Sequence, residues 1–490
     1  MIKKQLKLIV ILLCVTAVLL IAYFVAKPFV FDERLTEQTE FDKDGDRLGT
    51  RERPYVYDVI EFENLKSIYV HNKSGEYRFN MDSVAQNLVL EGKEELSFDA
   101  EKLAYLYVNT CKVLAMTKVE NPSEDLSEYG LSDGVSDVYF EVVDKSGEKH
   151  TVYIGDVMPT GAAYYCKSAE KPHIYIIDTM IENCVLKDEN YYVVPLLAPM
   201  IPESAKYEIQ ELNIVRDGKV FVSFEKASTE NVLADGTRVS HNMTYPAAYN
   251  VSQELLDEIL TKLVAFVGDE VIETDIPIDT LEEIMEKYGF TSPSAEIVYT
   301  YSGKQHRVIF GDKTEDGSRF YVLNTSQRTI LTVPVEDVPF VEGYDLIKFI
   351  DNYMFQMDIN NVKSVRVTTR KHDETFNLTG EKEELSVTRA SKGEVINTRN
   401  FRQFYIDMLL VKIEDYSTAP EKPSEILSYT VETRNGAKHE YRFYDMSTRK
   451  VFFTVNGVGQ FYVGRDVVDR VISNLDKLLA GETVISAALE

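Results

Sequence analysis

The stretch "SGEKHTVYIGD" at Ser146 to Asp156 returns as "SGKQHRVIFGD" at Ser302 to Asp312 and, more loosely, as "NGAKHEYRFYD" at Asn435 to Asp445. In each, a histidine follows a glycine by three residues and an aspartate follows that histidine by six. Ser-Gly and Asn-Gly between alternating apolar residues read as hairpin turns, because glycine accepts the positive φ that tight loops require. Two-residue loops would set His150, His306 and His439 opposite Val143, Tyr299 and Glu432. Strand alternation places His150 with Val152 and Ile154, His306 with Val308 and Phe310, and His439 with Tyr441 and Phe443, on stripes that face a core. Asp156, Asp312 and Asp445 then fall roughly 20 Å away along an extended strand. Groups so far apart form no dyad, and three different cross-strand partners suit no shared task. The motif reads as a rim histidine and a turn aspartate rather than as metal ligands or bases.

The repetition extends on both sides of the motif. Upstream lie "LKSIYVHNKSGEYRF" (Leu65 to Phe79), "IQELNIVRDGKVFVSF" (Ile209 to Phe224) and "VKSVRVTTRKHDETF" (Val362 to Phe376), each read as two strands about a turn. A helix follows in every copy. Its apolar face is Leu103, Leu106, Tyr107, Thr110 and Leu114 in the first, Leu256, Ile259, Leu260 and Leu263 in the second, and Phe401, Phe404, Tyr405 and Met408 in the third. Asp99, Ser252 and Asn400 are the expected N-caps. The first two copies then carry "EYGLSD" (Glu128 to Asp133) and "KYGFTSP" (Lys287 to Pro293), where Gly130 and Gly289 would end a short helix in the left-handed conformation. The third copy lacks this element and closes instead on a helix, "RDVVDRVISNLDKLLA".

Before the repeats comes "LIVILLCVTAVLLIAYFVA" from Leu8 to Ala26, nineteen apolar or uncharged residues. At 1.5 Å per residue they reach roughly 28 Å, long enough to span a bilayer and longer than the apolar part of a signal peptide. Lys3, Lys4 and Lys7 precede it and Asp32, Glu33, Glu37 and Glu40 follow, which predicts a cytoplasmic N-terminus. The expected fold class is therefore α+β, an N-terminal transmembrane helix followed by three tandem α+β repeats with antiparallel sheets and packed helices. The expected divisions are a cytoplasmic tail (1–7), the membrane helix (8–26), a juxtamembrane stalk (27–59), repeats at 60–204, 205–357 and 358–482, and a tail (483–490).

A net charge of −27 over 490 residues argues against a nucleic-acid partner, which would need clustered Lys and Arg. Cys111, Cys166 and Cys184 are too few and too irregular for a disulfide framework or a zinc site and read as free buried thiols, with one bridge left open. "DKDGDRLG" (Asp42 to Gly49) alternates aspartates as a calcium loop does. It has Arg47 and Arg53 where such a loop needs Gly and Glu, and reads as a solvated acidic turn. Ser146 and Lys149 match Ser-x-x-Lys formally, but they lie in a hairpin turn rather than opening a helix.

The two copies of YGL or YGF, a strand, the SG hairpin, GD and an aromatic strand, clearest over Glu128 to Ile177 and Lys287 to Val333, resemble the bacterial family known as domain of unknown function 4340. That resemblance implies a membrane-anchored protein found beside ABC-type export systems, including those related to gliding motility, and it carries over no catalytic residue. The expected function is a single-pass, membrane-anchored extracytoplasmic interaction or scaffold protein accessory to such an assembly. Its partners would be the membrane, through the N-terminal helix, and membrane transport proteins. The alternative is an extracytoplasmic binding module for a cell-envelope polymer or small ligand. No enzymatic activity, catalytic residue, cofactor or metal is expected.

Overall fold

The computed structural model describes residues 40–227, 232–274, 276 and 281–489. The chain divides into two compact units at Val193 and Val194.

The first unit is built on one antiparallel sheet of β1 (Leu65–Asn72), β2 (Gly75–Asp82), β3 (Asn87–Leu90), β4 (Thr117–Lys118), β5 (Tyr139–Asp144), β6 (Lys149–Val157), β7 (Ala163–Ser168) and β8 (Ile174–Asp178). Their order is β3-β2-β1-β5-β6-β7-β8-β4. Helix α1 (Ala100–Cys111) carries the chain from one edge strand, β3, to the other, β4. Asp99 caps it by accepting from the backbone N–H groups of Glu101 and Lys102. Its buried Leu103 and Leu106 share a core with Ile68, Phe79, Phe140 and Val152, each such side chain contributing about 1.5–3 kcal/mol on burial. Residues 40–59 lie against this sheet: Val56 and Tyr57 are in its core and Arg53 Nε donates to Ala115 O at 2.8 Å.

The second unit repeats the plan twice. Its first sheet comprises β9 (Glu211–Arg216), β10 (Lys219–Lys226), β11 (His241–Tyr245), β12 (Glu270–Glu273), β13 (Ala295–Tyr301), β14 (Lys304–Lys313), β15 (Arg319–Asn324) and β16 (Thr329–Pro334), ordered β11-β10-β9-β13-β14-β15-β16-β12. Helix α2 (Gln253–Val264) makes the edge-to-edge crossing and α3 (Leu281–Lys287) follows β12. After the short helices α4 (Pro339–Glu342) and α5 (Leu346–Phe349) comes the next sheet. It comprises β17 (Val362–Thr369), β18 (Asp373–Thr379), β19 (Ser386–Arg389), β20 (Glu394–Ile396), β21 (Ile413–Tyr416), β22 (Glu425–Thr433), β23 (Lys438–Asp445), β24 (Lys450–Val455) and β25 (Val458–Gly464). Here the order is β20-β19-β18-β17-β22-β23-β24-β25-β21, one strand longer at the first edge, with α6 (Thr398–Leu409) crossing and α7 (Arg465–Ala480) closing. The two sheets of this unit share one hydrophobic core, which runs without a break from Leu197 to Val484.

The α+β expectation is thereby corrected. The molecule is mostly antiparallel sheet, three large sheets with few helices. The outer strands β3, β4, β11, β12, β19, β20 and β21 leave no sequence signal because they are only 2 to 5 residues long, too short to show alternation. The membrane segment at 8–26 lies outside the described residues, and among those no helix is long and apolar enough to cross a membrane. Two local expectations also change. Asn397, not Asn400, caps α6, accepting from the Asn400 N–H. His150 pairs with Val142 and His439 with Val431, because those hairpins have three-residue loops with Gly147 and Gly436 at φ 92° and 90°. Of the three repeated hairpins, the one at 302–303 has the two-residue turn, and it pairs His306 with Tyr299 as expected.

The YG turns and GD strands touch one another. Gly130 and Gly289 adopt φ 70° and 75°, the left-handed conformation expected of them, and deliver the preceding tyrosine carbonyl onto the strand glycine. A Cβ on Gly155 would run into Tyr129 O and one on Gly311 into Tyr288 O. A Cβ on Gly130 would stand 2.5 Å from Asp156 N, and one on Gly289 2.5 Å from Oδ1 of Asp312. The Asp312 N–H donates to Tyr288 O at 2.8 Å. Both GD pairs sit at register shifts, between Ile154 and Val157 and between Phe310 and Lys313, which free the backbone from the neighbouring strand. The third sheet has no YG turn, carries Tyr444 where the others have glycine, and pairs β23 with β24 without a shift. Turn, glycine and bulge occur together or not at all. In the second sheet the turn seals a separate small core of Tyr288, Phe290, Ile309, Leu323 and Ile330 on the face opposite α2.

Gly155 has an ordinary φ, so Gly155→Ala tests contact alone, whereas a Cβ at Gly147 meets nothing and Gly147→Ala tests backbone strain alone. Urea denaturation should show Gly155→Ala losing about 2–3 kcal/mol or more, and Gly147→Ala about 1 kcal/mol. Equal losses would mean that the turn moves aside freely.

Candidate functional site

The three repeated histidines have three different surroundings. His150 is 7% exposed, stacks on Tyr57 at 5.0 Å between ring centroids and holds Glu170 through Nδ1 at 2.9 and 3.0 Å. His306 stacks on Tyr299 at 5.1 Å, and burial, with Lys304 nearby, pushes its pKa down. His439 is half-buried, has its pKa pushed down by burial and lines a cleft. The aspartates differ as well. Asp156 and Asp312 abut the YG turns, while Asp445 pairs with Arg465 and stands 3.8 Å from Arg370. Among the described residues no group of three or more His, Cys, Asp or Glu side chains could hold a metal ion.

The acidic turn is docked rather than solvated. Asp42 Oδ1 accepts from the backbone N–H groups of Asp44 and Asp46 at 2.9 Å each. Lys118 Nζ, reaching from β4, lies 2.6, 3.1 and 2.6 Å from the carboxylates of Asp42, Asp44 and Asp46. Asp46, 3% exposed, also meets Lys171 Nζ at 2.8 Å and accepts from Tyr175 OH at 2.7 Å. An ammonium group stands where a calcium loop would hold its ion. Burial alone would raise the pKa values of Asp42 and Asp46, but bonds to Lys118 and, for Asp46, to Lys171 and Tyr175 outweigh it and lower both.

The remaining candidates are structural. Ser146 Oγ donates to Asp144 Oδ1 at 2.7 Å within its turn, and Lys149 pairs with Glu141 at 2.5 Å on the sheet. Cys111, Cys166 and Cys184 are free and buried, and burial raises all three, Cys111 and Cys184 to about 12.

Among the described residues, two clefts border the repeated motifs. One of about 530 Å³ in the first unit lies beside the Gly130 turn, among Asn72, Lys73, Asp137, Asp156 and Tyr164. Its Asn72 is committed, donating through Nδ2 to Val185 O and Lys187 O at 2.7 Å each. The other, of about 560 Å³, lies between the two sheets of the second unit, where β11 and the chain after it face the linker at 355–361 and the β22–β23 hairpin turn. It is the only place where a repeated histidine, His439, borders one of these two clefts. His241 sits in the same wall, fully buried, with its Nε2 2.8 Å from Ile209 O. No sequence signal marked His241, which lies outside the repeated motif on a five-residue edge strand.

Two outcomes test these assignments. Lys118→Met should cost on the order of 2 kcal/mol at pH 7, because Asp42 and Asp44 lose the ammonium group they share while Asp46 keeps Lys171. In the native chain the contribution of Asp42 and Asp46 is full above the ordinary value of 3.8 and is lost as pH falls through their lower folded values. The deficit of the variant should therefore hold down to about pH 4 and shrink as pH falls below 3.8, and a deficit independent of pH would assign Lys118 a packing role only. Iodoacetamide at pH 8 should leave Cys111, Cys166 and Cys184 unmodified in native protein and label them in urea, by peptide mass mapping.

Residues 89–283 and 276–429 each match the family model described as "Domain of unknown function (DUF4340)". The first match contains Gly130 with Gly155 and the second Gly289 with Gly311, so each holds one complete turn-and-strand contact. The third hairpin, at Asn435 to Asp445, falls outside both. No curated protein and no solved structure matches the chain. Because the two matches together run from residue 89 to 429, well over half of the 490 residues, the chain belongs to the DUF4340 family.

Proposed function

We propose that this protein is an extracytoplasmic interaction protein, held at the membrane by the apolar segment 8–26 and accessory to an ABC-type export assembly. The observation that carries the reading is the contact between YG turn and GD strand. The motifs that recur most faithfully serve packing, and the histidines among them have no common chemical setting. Repetition here preserves a shape, which suits a surface that partners grip. The lysines before the apolar segment and the acids after it support an outward-facing bulk, and the net charge of −27 favours a basic partner surface.

Photocrosslinking in native membranes tests this. Val84 and Val395, 91% and 70% exposed, are positions for a photoreactive side chain on the first and third sheets. The expected products join the protein to membrane transport subunits. Recovery of intact protein with no membrane component would overturn the reading.

A further inference from the structure

We propose that the cleft between the two sheets of the second unit binds a neutral, polyhydroxylated ligand of the oligosaccharide class. Its volume of about 560 Å³ falls within the roughly 300–1,000 Å³ of small-molecule sites. None of its described lining residues is Asp or Glu, although those residues make up 80 of the chain's 490.

In place of carboxylates the lining presents six primary amides, Asn242, Asn250, Gln253, Gln356, Asn361 and Asn435. An amide offers a donor and an acceptor side by side, as a vicinal diol does, so the two groups complement each other without charge. Two of the six are held through the NH2 end with the carbonyl end open. Asn250 Nδ2 donates to Tyr353 O at 3.1 Å and Gln356 Nε2 to Leu409 O at 2.9 Å. The carbonyl ends of these two, and the whole side chain of Asn361, make no hydrogen bond among the described residues. Anchored amides lose little freedom on binding.

His241 adds an acceptor. A carbonyl cannot donate, so the Nε2 atom facing Ile209 O carries the proton and Nδ1 holds a lone pair. Nδ1 has no hydrogen-bond partner among the described residues, and a ligand hydroxyl is the chemistry that would supply one. The cleft's cations do not favour an anion. Arg434 commits Nε to Asn360 O at 2.7 Å and Nη2 to Gly380 O at 2.6 Å, and burial keeps His241 and His439 neutral near pH 7. Phe355, Tyr249 and Tyr441, buried and packed on one another or on neighbouring rings, form the apolar floor of the cleft.

This site depends neither on membrane attachment nor on a protein partner, so a failed crosslinking experiment leaves it standing. The test is calorimetric titration of the detergent-solubilised full chain with N,N′-diacetylchitobiose, cellotriose and maltotriose, and separately with digalacturonate and inorganic phosphate. Saturable binding of a neutral saccharide is expected, weakened about tenfold or more in Asn361→Ala and unchanged in Asn109→Ala, which alters the first unit. Both variants should keep the native melting temperature. Binding of phosphate or digalacturonate alone, no binding of any neutral probe, or full affinity in Asn361→Ala would each overturn the proposal.

Discussion

The approach of a tyrosine carbonyl to a strand glycine governs how the first two sheets are finished. A side chain at Gly155 or Gly311 would occupy the space that the carbonyl of Tyr129 or Tyr288 fills. The approach also needs a backbone released from its neighbour, which the register shift supplies, and a turn that doubles back, which Gly130 and Gly289 supply. No one of these features is useful without the others. The third sheet, with Tyr444 and an unbroken β23–β24 ladder, is the same topology with one added edge strand, relieved of all of them at once.

Much of this was legible in the sequence, and the part that was not has a physical reason. Alternation and helical periodicity marked the long hairpins and the crossing helices, and every residue expected on the apolar faces of α2 and α6 is buried. In α1 the face is narrower than expected: Tyr107 is only partly covered and Leu114 lies beyond the helix end. The outer strands escaped notice because their pairing is decided by neighbours far along the chain rather than by their own pattern. The acidic turn illustrates the same limit. Its aspartates announce a cation, but the cation is a lysine more than seventy residues away, placed there only by folding. Loop length, too, shifted His150 and His439 by one partner while leaving them on the core-facing stripe, since alternation is a property of the strand and register a property of the turn.

Charge is distributed unevenly in this acidic chain. Carboxylates of the acidic turn are spent on lysines, and Asp445 on arginines, whereas the described lining of the second unit's cleft has none. A pocket kept clear of the prevailing charge interacts with hydrogen-bonding groups on their own terms, because no nearby anion competes for donors. His241 and Asn361 owe their interest to this: their unmet hydrogen-bonding capacity lies in a lining without carboxylates.

The common core beneath the second and third sheets separates two quantities that repeats usually keep equal. The segment that recurs along the chain, about one sheet with its crossing helix, is smaller than the segment that must collapse together in this unit. The recurring unit is one sheet, but the packing unit of the later pair is two. A change to the underside of either sheet is therefore felt by both.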